Sequence, residues 1–231
     1  LRFQQCRTNP YLTVVMKGTS HKENGLKSAC RRCGTCCEKG GPALHTADRN
    51  LVESGRIALK YLFTIRPGET VRDNVQHRLT RSTADIIKIK GKKGTWACVL
   101  FDAANKACTL YADRPLECRV LDCRRPEALE SLYTRNRLSR KDLLFSMDKL
   151  WELVQDHERH CSLNKVAPLF SLSGDPIDPD ARKRLAFIFR YDTHVRRLVV
   201  EKGKMDPQIL DFLFGRPLSA LYPHFGKPVP P

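Results

Sequence analysis

Four cysteines within eight positions, Cys30-Arg-Arg-Cys33-Gly-Thr-Cys36-Cys37, constrain this chain more than anything else in it. Gaps of two residues let sulfurs on a tight turn converge on one point, the geometry that tetrahedral zinc or an iron–sulfur cluster requires. Four more cysteines follow far downstream, Cys98, Cys108, Cys118 and Cys123. The two groups are expected to meet in space and share inorganic ions, which makes all eight candidate metal ligands. A disulfide framework is the weaker reading. Adjacent Cys36 and Cys37 bridge to each other only with strain. No basic-then-apolar signal pattern opens the sequence, and Tyr11-Leu-Thr-Val-Val-Met16 is too short for an h-region. A reducing, cytoplasmic setting with thiolate ligands is therefore expected. Met16 reads as a candidate start, so residues 1–15, with Cys6, carry little weight.

The charge balance complicates the choice of partner. A net charge of +16 over 231 residues calls for something acidic, usually nucleic acid or an anionic surface. Thiolate-bound metal is itself anionic, however, and Arg31, Arg32, Arg114, Arg119, Arg124 and Arg125 lie beside or close to the cysteines. Part of the basic excess is expected to lower thiolate pKa values and offset the charge of the centre. No run of about 18 apolar residues occurs, so no membrane span is expected.

Three stretches follow from composition: a flexible N-terminal segment over 1–27, a cysteine-cluster domain over 28–125, and a helical extension over 126–231. The expected fold class is α+β, with a small antiparallel sheet, loops and short helices around the cysteines. Lys17–Lys27 is a polar lead-in. Thr46 can cap a helix that Gly55 ends. Ile57–Ile65 suits a buried helix or a strand equally. Asp85–Lys90 and Thr95–Phe101, joined by Gly91-Lys-Lys-Gly94, predict a β-hairpin, with Cys108 on a further strand beside Cys98. Asp113 and Pro115 predict a helix start that places Cys118 where backbone N–H groups favour a thiolate.

Beyond Pro126, Ser139 opens a helix expected to run to about His160, with Leu143, Met147, Leu150, Trp151 and Val154 on its apolar face. Cys161 continues that stripe as core, while His157 and His160 read as surface or helix-end residues. Pro168–Pro179 reads as a loop. Asp180–Lys202 predicts another helix, although Leu185–Phe189 alone could form a strand. A shorter helix over Asp206–Phe214 and a disordered tail over Gly226–Pro231 complete the chain.

The joint pattern resembles the YkgJ-type cysteine-cluster family of zinc- or iron-chelating proteins. Its marks are Cys30-x2-Cys33-x2-Cys36-Cys37, then Cys98-Val-Leu-Phe101, then Cys108-Thr-Leu-Tyr111-Ala-Asp-Arg114-Pro115-Leu-Glu-Cys118-Arg119, ending at Cys123. The likeness covers roughly 28–125 and implies metal binding without supplying a settled reaction.

Two metal readings stay open. Cys30, Cys33 and Cys36 reproduce the Cys-x2-Cys-x2-Cys run of bacterial ferredoxins, but Cys37 follows at once where three residues and Cys-Pro would stand. Two four-cysteine zinc sites fit the spacing equally. Crowding tips the balance slightly toward iron–sulfur.

Three classes of function remain. An accessory, structural or redox metal protein serving a protein partner leads. A metal-dependent enzyme is second. Flagellin lysine N-methylases carry a similar cysteine cluster, but this chain has no Gly-x-Gly-x-Gly loop and no Cys-x3-Cys-x2-Cys radical signature, the position after Cys33 and Cys37 being Gly40. A zinc module binding nucleic acid is third and not favoured, because Trp96, Phe101 and Tyr111 read as core and not as a stacking platform among arginines. Asp178/Asp180 and Glu127/Glu130 read as helix-terminal charges, so no catalytic residue is assigned.

Overall fold

The computed structural model describes residues 30–172 and 178–222. The lead-in, the proline-rich tail, Cys6 and part of the loop expected after Pro168 lie outside the described residues. In chain order the elements are α1 (Thr35–Glu38), α2 (Arg49–Glu53), β1 (Leu62–Ile65), β2 (Thr70–Asp73), β3 (Arg78–Arg81) and β4 (Ile86–Ile89). Next come β5 (Phe101–Asp102), β6 (Ala107–Cys108), α3 (Leu116–Val120), α4 (Glu127–Leu132) and α5 (Arg140–Leu144). The longer helices follow: α6 (Asp148–Cys161), α7 (Leu163–Leu172) and α8 (Pro179–Glu201), then short α9 (Leu210–Phe214) and α10 (Leu218–Leu221). The class is mixed α+β with a helical C-terminal part, as composition implies.

The chain divides into two compact units. The first takes residues 1–57, 71–80 and 88–138; the second takes 58–70, 81–87 and 139–231. In the first unit Leu44, Ile57, Ile89, Phe101, Leu129 and Leu138 are buried. A 3₁₀ turn precedes α2, and its cap is His45, not Thr46. The His45 N–H donates to Asp48 at 3.0 Å, closing a reciprocal capping box. Gly55, at φ 74°, ends α2 in the left-handed conformation expected of it. Gly41 is required by close approach, since a Cβ there would stand 2.3 Å from the Ile89 carbonyl oxygen.

The hairpin expected over 85–101 forms only in part. Val99 N–H donates to the Lys90 carbonyl at 2.9 Å and Gly91 bridges Cys98, but the 95–100 stretch makes no named strand. Instead β4 takes β1 as its ladder partner, and β5 pairs antiparallel with β6, Phe101 opposite Cys108. Aromatic content misled at Trp96, which is 80% exposed in the turn, whereas Phe101 is core. A hairpin of β2 and β3 was not foreseen. Each strand carries a single apolar residue, Val71 in β2 and Leu79 in β3, too few to set up a period-two pattern in the sequence.

In the second unit Leu62, Leu144, Val154, Val166, Leu185, Phe212 and Phe214 form the core. Ser139 caps as expected, with Asp142 completing the box. The helix nonetheless breaks at Phe145–Met147, and Met147 is exposed. Asp148 begins a new helix in which Val154, His157 and Cys161 are buried. Helix α7 continues through Pro168 to Leu172, where a loop was expected. Asp178 caps α8, accepting from the Asp180 and Ala181 amides, and Leu185–Phe189 is helical.

Candidate metal centre

All eight candidate cysteines belong to the first unit, and each is a free thiol. Gly34 sets the first group. At φ 83° it starts α1 in a conformation L side chains rarely adopt, and a Cβ there would meet Phe101 Cζ at 2.7 Å. The tight start puts Cys36 and Cys37 in one turn, their sulfurs 4.0 Å apart. Two thiolates on one tetrahedral zinc would stand about 3.8 Å apart, from Zn–S bonds of ~2.3 Å. Backbone then ties the two groups together: Cys98 N–H donates to the Cys37 carbonyl at 2.7 Å.

Burial and neighbouring thiols set the electrostatics of these cysteines. The neighbouring Cys37 S–H, opposed by burial and aided by the Cys37 amide and Arg114, draws Cys36 down to about 6. Its partner Cys37 moves the other way, because the pair shares one proton and Cys118 and Cys98 add to its unfavourable field. Burial, then the Cys108 and Cys36 thiols, raises Cys98 against the Leu100 amide. Burial and then Cys98, Cys36, Glu117 and Cys108 raise Cys118. The helix-start argument for Cys118 therefore fails in direction. This residue lies in the middle of the single helical turn of α3, among other sulfurs, and burial outweighs the backbone. Geometry fixes two close approaches, the 4.0 Å separation of the Cys36 and Cys37 sulfurs within the first group and the Cys98 amide on the Cys37 carbonyl between the groups. Cys33 is exposed, with Sγ 3.4 Å from Thr35 Oγ1, and Cys30 and Cys123 are half-buried.

Residues between the cysteines hold the segments in place. Tyr111 lies between two guanidinium groups, Arg32 at 4.0 Å and Arg114 at 3.9 Å from its ring centroid. Arg32 sits between Cys30 and Cys33, so this stack joins the first cysteine group to the Cys108–Cys118 stretch. Arg114 Nε also donates to the Tyr111 carbonyl at 2.9 Å. Tyr111 is therefore half-buried among cations and not a core residue. Beneath α3, buried Glu117 accepts from the Ala43 amide at 2.8 Å and meets His45 Nε2 at 3.3 Å, while Asp48 accepts from the Leu116 amide at 2.8 Å. These bonds fix the helix that carries Cys118. Burial lowers the Lys88 amine, opposed by Glu117 and then by Cys118 and Cys98. Of the arginines expected to serve the cysteines, Arg124 and Arg125 engage Asp122 instead.

The family model named for Cys-x2-Cys-x2-Cys-Cys, described as a "putative zinc- or iron-chelating domain", matches residues 29–162, more than half the chain. The chain belongs to this family. Among curated proteins and among solved structures, nothing matches. The cysteine-cluster family gives zinc or iron as the metal, and the donor set fits: thiolates suit either ion.

Among the described residues, one group of three ligand-type atoms comes within 4.8 Å of one another, and it is His157, Cys161 and Asp192 in the second unit; no three cysteine sulfurs approach so closely. His157 is wholly buried, against its expected surface position. Its Nε2 lies 2.7 Å from Asp192 Oδ1, which Arg196 Nε also reaches at 2.8 Å, while the Leu218 amide donates to Oδ2 at 3.0 Å. The carboxylate already has three donors and a fixed cation, which opposes a metal ion. The set is a buried polar network. Sequence could not show it, because Asp192 and Arg196 sit in a run of helix charges that looks solvated. No helix among the described residues is long and apolar enough to cross a membrane.

Proposed function

We propose that the chain is an accessory metal protein whose centre is built from Cys30, Cys33, Cys36, Cys37, Cys98, Cys108, Cys118 and Cys123, in the cytoplasm, serving a protein partner. The observation that carries this reading is the backbone bond from Cys98 to the Cys37 carbonyl, which joins two cysteine groups sixty-one positions apart. An iron–sulfur cluster is favoured slightly over two zinc sites, since four cysteines crowd eight positions of sequence from Cys30 to Cys37. When bound, such a centre supplies electron transfer or structural cross-linking. The residues of the chain would supply the ligands and the bracing Arg–Tyr–Arg stack. The alternative, a metal-dependent methylase-like activity, rests on the similar cysteine cluster alone.

Elemental analysis of anaerobically prepared protein tests the reading. Iron and sulfide with absorbance near about 400 nm support it. A colourless protein with stoichiometric zinc removes the iron–sulfur part, and a protein free of both metals removes the whole. Cys118→Ser is expected to lower bound metal and destabilise the first unit, because ligand energy is folding energy there. Cys161→Ser is expected to leave metal content unchanged, its sulfur being buried in the second unit.

A further inference from the structure

Helix α8 presents an outer face that the metal centre does not use. Lys183, Phe187, Arg190, His194 and Arg197 are exposed and recur at alternating spacings of four and three, so they form one stripe. At about 1.5 Å per residue the stripe is roughly 21 Å long. The exposed carboxylates of the helix, Asp180 and Glu201, stand at its two ends, and Asp192 is buried in the network described above. Lys183 pairs with Asp180 at 3.6 Å where both are about four-fifths exposed, a pair worth little. No carboxylate is recorded against Arg190 or Arg197 among the described residues; Arg197 reaches only His194 Nδ1 at 3.4 Å. At the centre of these cations Phe187 is 55% exposed and borders a shallow hollow shared with Tyr191, the rings 6.4 Å apart.

A solvated basic face needs no exposed phenylalanine, and burying that ring elsewhere would stabilise the chain. Polybasic surface with an interleaved aromatic is the arrangement that binds a strand through its phosphates while a base stacks on the ring. A bilayer fits poorly, because the apolar side of α8, Leu185, Val195 and Val199, is buried in the unit and cannot enter lipid. An acidic peptide would answer the charges and leave the ring without a planar partner. We propose that this face of α8 binds single-stranded nucleic acid, with phosphates on Lys183, Arg190 and Arg197 and a base against Phe187. The inference stands apart from the metal reading, since α8 belongs to the second unit and carries no candidate ligand.

Fluorescence anisotropy of a labelled oligothymidylate about twelve residues long, titrated with the whole protein at several salt concentrations, tests it. Replacing Arg190 and Arg197 together by alanine should reduce the slope of log K against log salt by about 1.4, two phosphates at ~0.7 each. Phe187→Ala should weaken binding about tenfold while leaving that slope unchanged. A control pair, Lys92→Ala with Lys93→Ala, exposed in the first unit, should alter neither. All of these side chains are exposed, and circular dichroism verifies that each variant folds. Absence of binding at low salt overturns the proposal. So does equal loss in the control pair, an unchanged Phe187→Ala, or displacement of the oligonucleotide by polyglutamate at equal charge.

Discussion

Tyr111 shows how a residue that offers no ligand atom can brace a candidate metal site. Its ring meets Arg32 on one side of the cysteine spacing and Arg114 on the other. Two cation–π contacts at ~0.5–1 kcal/mol each hold the segment before any ion arrives. Tyr111→Ala is expected to make Cys36 and Cys37 in metal-free protein alkylate roughly five- to tenfold faster, as mass spectrometry would read. Tyr111→Phe keeps the ring face and should behave as wild type; equal loosening in both variants would refute the stacking role. Sequence made the cysteines legible here because thiolate spacing is a local property. It misread Tyr111 as core and Trp96 likewise, since an aromatic residue looks the same whether apolar atoms, guanidinium groups or water surround it.

At the scale of elements, each site depends on a single turn. Gly34 begins α1 at φ 83° against Phe101. Gly34→Ala therefore meets both left-handed strain, about 1–2 kcal/mol, and a steric overlap. The expected result is a lower melting temperature for metal-free and loaded protein alike; an unchanged value would show that the turn relaxes freely.

Between α6 and α8, the Asp192 network makes a different prediction. Burial opposes ionisation of Asp192, but His157, Arg196 and the Leu218 amide together hold its carboxyl down to about 2. A carboxyl so depressed contributes stability at pH values above its unfolded value of about 3.9 and loses it as pH falls toward 2, some 2 kcal/mol in all. Burial keeps His157 neutral, opposed by Asp192, so acid destabilises there too, below its ordinary value of about 6.5. Asp192→Asn should flatten the acid limb of a denaturation profile and also lower stability near neutrality, by leaving Arg196 buried without its partner. An acid limb identical to wild type would rule the network out as its source. Helix α8 itself was legible as a helix over Asp180–Lys202, while its cap, Asp178, was read only as a helix-terminal charge. The burial of Asp192 and Arg196 was not, because periodicity marks apolar residues and a paired charge turned inward breaks the pattern.

For the whole molecule, the two units differ in what stabilises them. The first has short elements and a cysteine set; the second has long helices around a phenylalanine and leucine core with buried Arg66 and Arg140. Chelation followed by differential scanning calorimetry should lower the first unit's transition by more than the second's. Equal shifts would mean that the metal stabilises both. The α+β class and the helical C-terminal part were readable from composition and turn signals. The division into units was hidden, because each draws on separated stretches of chain that no shift in composition marks.

Strand β4 carries that division within itself: Ile86 and Ile87 belong to the second unit, Lys88 and Ile89 to the first. No single cut can free either unit whole. On the ribosome, the last cysteine of the candidate set emerges at position 123 and the first unit is finished at 138, ahead of α5 to α10 of the second. A nascent chain thus completes the candidate cysteine set while Leu62 and Ile87 still await their covering helices.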